Sequence, residues 1–181
     1  MTIIIRPARP EDAAALAELA ARTFHETFAA DNRPEDIALH LAQSYGAEHQ
    51  RRELADPDMQ TLLADSDHGL AGFAQLCRGP APAYVQGEDP IELLRFYIAQ
   101  PWHGRGVAQQ LMAQVLTAAA HMGARTLWLG VWEHNERAKA FYRKCGFVDV
   151  GTQIYIVGSD PQHDRLMARP VAASAVARPL R

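Results

Sequence analysis

Residues 91–119 constrain the fold of this chain more than any other stretch, because they combine an apolar run, a glycine-spaced turn and a helical pattern. The apolar run, 93–99, has the length and composition of a buried strand. Gly104 and Gly106 follow it. Beyond them, apolar residues recur at the spacing of one helix face: Val107, Leu111 and Val115. The stretch therefore predicts a strand, a tight turn and a helix in succession.

A turn of this kind is suited to hold phosphate groups. Backbone N–H groups in the first turn of a helix lack intrahelical acceptors, and the helix dipole adds partial positive charge there. Glycines let the backbone approach an anion closely, and Arg105 could add a charge-assisted contact. A dinucleotide-binding turn would need glycine where Gln109 stands, and a nucleoside-triphosphate loop would need Gly-Lys-Ser/Thr. A plain strand-to-helix turn is the alternative at this point.

Composition and cysteine usage narrow the class of protein. The chain has 181 residues, 48% of them hydrophobic, which suits one domain with a full core. No apolar run approaches the ~20 residues that cross a bilayer, and the N-terminus lacks the layout of a signal peptide. Cys77 and Cys145 are not spaced as a disulfide framework or a metal site. We expect a cytoplasmic protein with reduced thiols and no membrane partner.

The distribution of charge argues against a nucleic-acid partner. Residues 1–75 carry 6 Lys/Arg and 13 Asp/Glu, a net charge of −7, whereas residues 76–181 carry 12 and 8, a net charge of +4. Because the basic surplus lies near the C-terminal end, no basic stripe accompanies the folded part. The acidic half could attract a cationic substrate or form an ordinary solvated surface. The eight histidines are scattered, so no metal is expected.

Periodicity and turn residues predict a mixed α/β chain with no internal repeat. Pro10 and Pro34, each followed by acidic residues, indicate helix starts. Predicted helices cover 10–28, 34–45, 47–55, 107–123 and 136–144. Predicted strands cover a first run from residue 2 that ends at Arg6-Pro7, then 60–64, 70–77, 91–99, 126–132, a hairpin of 147–150 with 153–157, and a last edge strand at 166–168.

A second motif lies downstream of the glycine turn. Asn135, Ala138, Phe141-Tyr142 and Gly146-Phe147 form the pattern N-x-x-A-x-x-F-Y-x-x-x-G-F. A capped amphipathic helix that stops at a glycine would explain each residue singly, but not the conjunction of the two motifs. Together they resemble the signatures of the GCN5-related N-acetyltransferase (GNAT) superfamily, whose other motif is Gln/Arg-x-x-Gly-x-Gly/Ala.

The glycine turn departs from that superfamily pattern at its first position. His103 stands where glutamine or arginine is usual. A neutral imidazole is a weaker anion partner than a guanidinium and is more sensitive to pH. Three further segments look most like the branch that acetylates polyamines such as spermidine: L-R-F-Y-I, W-L-G-V-W-E-H-N-E-R-A and V-G-S-D-P-Q-H-D-R-L-M.

The resemblance implies a single-domain α/β (α+β) GNAT fold. Helices would flank a central, twisted, mixed but mostly antiparallel sheet, with splayed strands at the acetyl-CoA site. The N-acetyltransferase domain would cover 1–169, followed by a flexible tail over 170–181. The implied reaction transfers an acetyl group from acetyl-CoA, the cosubstrate, to a primary amine of a small molecule by direct attack through a tetrahedral intermediate. Homodimers are common in this superfamily, but nothing in the sequence specifies one.

The resemblance also assigns residues to the acetyl-CoA site. Backbone groups of the strand would pair with pantetheine, and the Ile98 N–H would face the thioester oxygen. Asn135 would hydrogen-bond the pantetheine arm, and Lys144 would reach the ribose phosphate unless it is an ordinary surface lysine. The full set comprises Phe96, Tyr97, Ile98, His103, Gly104, Arg105, Gly106, Val107, Ala108, Gln109, Asn135, Ala138, Phe141 and Lys144.

Two residues receive catalytic assignments. Tyr142 matches the superfamily's general acid, since a neutral phenol can donate a proton to the departing thiolate at pH 7; a core tyrosine is the alternative. Glu92, at the start of the organising strand, is the candidate general base, acting through water. Glu133 and His134 are rivals for that role, and diffuse proton removal by water is a further alternative.

The acceptor is the least specified partner. Four aromatic residues could line its site or simply pack the core: Phe24, Phe28, Trp102 and Trp132. A small amine would suit a closed pocket rimmed by acids such as Glu26, Asp31 or Asp36. A protein N-terminus or lysine would need an open groove. Outside enzymes, the alternative is a non-catalytic sensor that binds acetyl-CoA.

Overall fold

The computed structural model describes residues 2–172. Within them, the chain forms seven strands and five α-helices. The elements are β1 (Ile3–Pro7), α1 (Ala13–Phe28), α2 (Pro34–Ser44), α3 (Ala47–Ala55), β2 (Met59–Ser66), β3 (Gly69–Arg78), β4 (Pro90–Ile98), α4 (Val107–His121), β5 (Thr126–Trp132), α5 (Glu136–Lys144), β6 (Val148–Val157) and β7 (Asp160–Pro170).

All seven strands form one sheet in the order β1-β2-β3-β4-β5-β7-β6. Only β4 and β5 are parallel, and the remaining neighbours are antiparallel. The parallel pair is the one connected through α4, because parallel neighbours need a crossover connection and cannot be joined by a tight hairpin turn. The predicted mixed, mostly antiparallel α/β architecture is confirmed.

The helices cover the two faces of this sheet in separate groups. On one face, Leu111 and Val115 of α4 pack with Leu127 and Leu129 of β5, and α5 adds its apolar side to the same core. On the other face, the core contains residues of α1, α2, β2 and β3: Leu16, Leu19, Ala20, Phe24, Ile37, Leu63 and Phe73. The sheet therefore separates a layer of C-terminal helices from a layer of N-terminal helices.

The parallel strands β4 and β5 diverge after a short paired segment. Their residues are paired only from Pro90 to Glu92, opposite Thr126 to Trp128. On the other side of β4, the register with β3 shifts so that Leu94 is left out of the pairing, as in a β-bulge. Beyond Glu92 the edge of β4 that faces β5 has no partner strand among the described residues, so the sheet is open there.

The last two strands differ from the sequence prediction. The predicted hairpin over 147–157 is one strand, β6, with a register irregularity between Asp149 and Gly151. The predicted edge strand over 166–168 is the central part of β7, which lies between β5 and β6. Local patterns missed this because the polar first half of β7 lacks apolar alternation and is held only by long-range pairing.

The turn that joins β6 to β7 is hydrogen-bonded to the start of α2. Gly158 has a φ of +63°, and Asp36 at the start of α2 accepts hydrogen bonds from the Ser159 N–H at 2.8 Å and hydroxyl at 2.7 Å. The Arg33 Nε donates to the same carboxylate at 2.7 Å, and these bonds lower the pKa of Asp36. This clasp holds the β6–β7 hairpin against the N-terminal helices.

Regular structure extends past residue 169, where the predicted domain ends. Pro170, predicted to start the tail, is the last residue of β7. Val171 is buried in the core, and its N–H donates to the Arg125 carbonyl at 2.9 Å. The rest of the predicted tail, from 173 on, lies outside the described residues. Within 2–172, no helix is both long enough and apolar enough to cross a membrane.

Candidate active site

A cavity of about 420 Å³ occupies the opening between β4 and β5 and reaches both faces of the sheet. Most of the predicted site residues line it: Glu92, Phe96, Tyr97, Ile98, His103, Gly104, Gly106, Val107, Ala108, Gln109, Asn135, Ala138, Phe141 and Tyr142. Two predicted residues are not in its lining. Arg105 lies over the Trp102 ring at 5.7 Å, and Lys144 is exposed at the end of α5.

The glycine turn forms one end of this cavity. Gly104 and Gly106 have φ values of +73° and +80°, a conformation that glycine adopts without strain. Gly106 is the N-cap of α4, so the first residues of the helix, Val107 to Gln109, present their N–H groups at the cavity. This arrangement can bind a phosphate group, as the sequence predicted.

His103 is held in one orientation by two hydrogen bonds. Its Nε2 lies 2.7 Å from the Ile98 carbonyl oxygen, and its Nδ1 lies 3.1 Å from Nη1 of Arg137. Because a guanidinium only donates, Nδ1 accepts and Nε2 carries the proton. Sequence reasoning missed Arg137, which also lines the cavity; the signal for it is a basic residue in the first turn of a helix that itself faces the site.

The second predicted motif, which begins at Asn135, forms another wall of the cavity. Asn135 caps α5, its side-chain oxygen accepting from the Ala138 N–H at 3.1 Å. The next turn places Tyr142 among the rings of Phe96, Phe141 and Phe147, at centroid distances of 6.3, 5.6 and 5.7 Å. Burial raises the pKa of Tyr142 above its ordinary value. The phenol therefore stays protonated at neutral pH and can donate.

Glu92 lies where β4 separates from β5. It lines the cavity, and burial raises its pKa from 4.5 to about 7, with a small opposing effect from Arg95. A carboxylate with this pKa can take and release a proton near neutral pH. The rival bases are placed differently: Glu133 and His134 are outside the cavity lining, with side chains 39% and 70% exposed.

The face of the cavity towards the N-terminal helices is aromatic and polar. The predicted aromatic residues Phe24, Phe28, Trp102 and Trp132 all line the cavity, and the Phe28 and Trp132 rings meet at 6.0 Å. The acidic residues that the sequence suggested for the rim of the pocket do not line the cavity. Glu26 borders a separate cavity of about 220 Å³, Asp36 is bound in the clasp, and Asp31 is outside both linings.

Other residues of this face were not predicted from the sequence. Tyr45, Gln153, Tyr155, Gln162 and Asp164 also belong to the lining. Burial, together with the negative charge of Glu133, raises the pKa of Asp164 from 3.8 to about 6. The sequence signal for Asp164 is its position two and four residues before Leu166 and Ala168, which share its strand face and are buried.

An ion pair supports the floor of the cavity. Nη1 of Arg95 donates to both carboxylate oxygens of Glu53, at 2.7 and 2.8 Å, and to Gln75 at 2.6 Å. The guanidinium also lies 5.1 Å from the centre of the Tyr45 ring. Arg95 lines the cavity itself, and its charge is matched by Glu53, so Glu92 and Asp164 are not neutralised by a direct ion pair with it.

Comparison with known proteins identifies the family. A model of the acetyltransferase (GNAT) family matches residues 14–147. The chain belongs to this family. It is 36% identical over 158 residues to an uncharacterized N-acetyltransferase of Mycobacterium tuberculosis, covering 87% of this chain and 97% of that protein. It is 31% identical over 147 residues to an uncharacterized N-acetyltransferase of Lactobacillus delbrueckii subsp. lactis, covering 81% and 85%.

A solved structure agrees with the fold. The PaiA N-acetyltransferase from Thermoplasma acidophilum, crystallised in complex with coenzyme A, matches with a TM-score of 0.77 and 26% identity over 94% of this chain and 99% of that one. Family membership confirms the predicted enzyme class, an acyltransferase of the N-acetyltransferase type. The resemblance to the polyamine branch stays a prediction. Among the described residues, no group of three or more His, Cys, Asp or Glu side chains is placed to hold a metal ion.

Proposed function

We propose that this GNAT enzyme transfers an acetyl group from acetyl-CoA to a primary amine of a small molecule. The observation that carries the proposal is the cavity through the opened sheet. It joins the glycine turn, which is suited to phosphate, to a pocket lined by Glu92 and Asp164, neither of which forms an ion pair within residues 2–172. An ammonium group is attracted to such a pocket, and an acyl donor bound at the turn can reach it without leaving the cavity.

Acetyl-CoA is the cosubstrate. The coenzyme A complex of the PaiA relative supports this, and so do the residues around the cavity. The N–H groups from Gly104 to Gln109 would bind the pyrophosphate, with Arg105 and Arg137 as cationic neighbours. The free edge of β4 from Phe96 to Ile98 would pair with pantetheine as an added strand does. Asn135 and the apolar side of α5, Ala138 and Phe141, would cover the arm.

The chemistry of acyl transfer to an amine has three requirements, and the chain offers a group for each. An alkylammonium must lose its proton, since its ordinary pKa is about 10; Glu92 would accept it through water. The tetrahedral oxyanion needs a donor, for which the Ile98 N–H is the candidate. The departing thiolate needs a proton, which Tyr142 would supply. Attack is direct, so the amine and the thioester occupy the cavity together.

A small amine fits this cavity better than a protein substrate does. The pocket beyond β4 is bounded by α1, the clasped β6–β7 hairpin and the rings of Phe28 and Trp132. A lysine or an N-terminus presented by a folded protein would need an open groove. Polyamines are the first acceptors to test, because they carry the primary amines and the positive charge that the acidic pocket attracts.

The test is release of CoA thiol from acetyl-CoA, measured against spermidine, spermine, aminoglycosides and a lysine peptide. We expect turnover with small amines and little with the peptide. Tyr142→Phe should lose turnover while calorimetry shows unchanged CoA affinity. Tight acetyl-CoA binding without turnover on any amine would instead indicate a sensor, and preference for the peptide would indicate a protein acetyltransferase. Absence of CoA binding would refute the assignment of the turn.

A further inference from the structure

A carboxylate of β7, Asp164, lies in the wall of the cavity without a partner among residues 2–172. The residue is 9% exposed and lines the cavity. Its side chain makes no hydrogen bond or ion pair in that part of the chain, where every fully buried side-chain oxygen or nitrogen has a hydrogen-bond partner. The carboxylate oxygens of Asp164 therefore retain open surface, and the space that this residue lines is the cavity.

The other shielded carboxylates of the chain show what a purely structural acid looks like. Glu53 pairs with Arg95 at 2.7 Å, and Asp36 pairs with Arg33 at 2.6 Å. Burial of a carboxylate without a cation or a hydrogen bond costs free energy. The charged group that acts on Asp164 is Glu133, which has the same sign and adds to this cost. A carboxylate kept in this state in a cavity is a candidate for proton transfer.

The strand register places Asp164 nearer to the acetyl-transfer position than Glu92. The residue of β5 that pairs with Asp164 lies four residues after the one that pairs with Glu92. Four residues past Glu92, β4 has reached 96–97, depending on whether its bulged residue is counted. Ile98, the candidate donor to the thioester oxygen, is one or two residues beyond, about 3–7 Å along the strand. Glu92 lies about 16–20 Å before Ile98 on the same measure.

Asp164 also faces the side of the sheet from which the amine would approach. Directly paired residues share a face, and its partner Trp132 meets the Phe28 ring of α1 at 6.0 Å. The carboxylate extends over β5, where a Cβ at Gly130 would lie only 3.1 Å from Asp164 Oδ2. Tyr142 belongs to the core on the opposite face. The candidate proton donor to sulfur and this carboxylate thus lie on opposite sides of the opened sheet.

We propose that Asp164 is a catalytic base that takes the proton directly from the acceptor ammonium, and that Glu92 is the more distant carboxylate to which this proton passes through water. The inference rests on the proposed function and adds a residue to its mechanism. Asp164 occupies the level of the thioester, whereas Glu92 needs water to span the distance.

The proton transfers balance as follows from the two positions. The N–H bond of the ammonium breaks as an O–H bond forms at Asp164, and the freed lone pair bonds to the acetyl carbon while the carbonyl electrons move to oxygen. Asp164 then passes the proton through water to Glu92 and becomes a carboxylate again. When the C–S bond breaks, Tyr142 protonates the sulfur, and the nitrogen gives its second proton to Asp164. Tyr142 regains a proton from water, so one proton in total is released.

The state of Asp164 suits this role near neutral pH. Burial and the charge of Glu133 raise its pKa from 3.8 to about 6, so it is ionised at pH 7 yet can hold a proton transiently. Besides Glu133, the titratable groups that line this side of the cavity are Glu92, Tyr45, Arg95, Tyr97 and Tyr155. Burial raises the pKa of the three tyrosines, and Glu53 pairs with Arg95. These tyrosines and Arg95 therefore keep their charge state between pH 7 and 9.

The test compares the pH dependence of kcat/KM for the wild type and Asp164→Asn from pH 6 to 10, with saturating acetyl-CoA. The acceptor is whichever of spermidine, spermine or an aminoglycoside the wild type uses best. At pH 7 the variant should lose about 10²–10⁴-fold. Its kcat/KM should then rise by up to about tenfold per pH unit, because more of the amine arrives unprotonated as the pH approaches its pKa of about 10. The wild type should stay nearly level above pH 8.

A carboxylate that only attracted the ammonium would behave differently. Its removal would act mainly on KM, by a factor that stays constant from pH 7 to 9, where the amine remains protonated. The matched control is Asp149→Asn on β6, which removes a carboxylate that is outside the cavity lining and paired with Arg165 at 2.5 Å. It should leave the pH profile unchanged.

Two further measurements keep the inference testable if Asp164→Asn is inactive at every pH. Its thermal unfolding should occur at no lower temperature than in the wild type, because an uncompensated buried charge is removed. Asp164→Ala should regain activity with sodium formate but not with sodium chloride at the same ionic strength, since formate supplies the missing carboxylate. Near-wild-type activity of Asp164→Asn at pH 7, a loss that is constant from pH 7 to 9, or no rescue by formate would refute the base alone. No turnover of any amine by the wild type would refute the proposed function as well.

Discussion

Replacing Glu92 with glutamine should make the enzyme more stable and less active. Folding raises the pKa of Glu92 from 4.5 to about 7 because the carboxylate is desolvated. At 1.36 kcal/mol per pKa unit, this corresponds to about 3 kcal/mol by which ionised Glu92 weakens the folded state relative to protonated Glu92. Glutamine has nearly the same shape and no charge, so it removes this cost.

The effect of Glu92 on stability should depend on pH in a defined direction. The folded state holds the proton of Glu92 more tightly than the unfolded state does, so the wild type loses stability as pH rises from about 4.5 to about 7. The free-energy difference between Glu92→Gln and the wild type should therefore grow by about 3 kcal/mol over that range and stay constant above it. Urea unfolding at pH 5, 6, 7 and 8 measures this difference.

The same substitution, Glu92→Gln, should lower the activity although it raises the stability. A general base works only when ionised, so the wild-type kcat/KM should fall as pH drops below about 7. In Glu92→Gln, kcat/KM should no longer fall in this way with pH, and most of the rate should be lost. Glu18→Gln, on the exposed side of α1, is the control and should change neither property. If the stability difference between Glu92→Gln and the wild type were the same at pH 5 and pH 8, the raised pKa would be wrong.

Three other substitutions test separate parts of the structure. Tyr142→Phe should lower kcat by about 10²-fold or more, because the proton donor to the thiolate is lost, with the fold and CoA affinity retained; single-turnover kinetics and calorimetry measure both. Gly158→Ala should destabilise by about 2 kcal/mol or more, since φ is +63° and the new Cβ would lie 2.5 Å from Asp36 Cα; urea unfolding measures the loss. Glu53→Gln should cost about 3–5 kcal/mol in the same assay, because it leaves the buried charge of Arg95 unpaired.

Each of these predictions has a matched control in the same chain. Tyr84→Phe alters a tyrosine that is 60% exposed and should leave kcat unchanged. Gly79→Ala adds a Cβ with no atom within 4 Å and should be nearly neutral. Glu48→Gln breaks an exposed ion pair with Arg51 and should cost about 1 kcal/mol or less. A Tyr142→Phe enzyme with normal kcat would exclude that phenol as the acid, and equal costs at the two glycines or the two glutamates would contradict the structural argument.

The parts of the molecule whose structure depends on residues adjacent in sequence could be predicted from the sequence. The turn at Gly104 and Gly106 is local, because left-handed backbone and a following helix both follow from a few adjacent residues. The cap at Asn135 and the helix after it are local in the same sense. These two segments identify the family and contain most of the residues proposed to bind acetyl-CoA.

The wall of the proposed acceptor pocket could not be predicted in the same way. Its shape depends on β7 lying between β5 and β6, a pairing between segments more than 25 residues apart that no short pattern encodes. Asp164 interrupts an apolar face that continues with Leu166 and Ala168, and the sequence prediction placed only the latter part in a strand. Asp36 was suggested for the pocket rim, but its real partner is Ser159, 123 residues away.

The divergence of β4 from β5 also bears on how such an enzyme can change during evolution. The proposed acetyl-CoA wall of the cavity comes from β4, α4 and α5, whereas the proposed acceptor wall comes largely from α1, β6 and β7. Substitutions at separated sites that share no partners act nearly additively. If the proposed assignment holds, mutations at Gln153 or Tyr155 would alter which acceptor is used while acetyl-CoA binding is retained. One inherited donor site can thus serve a succession of acceptor specificities.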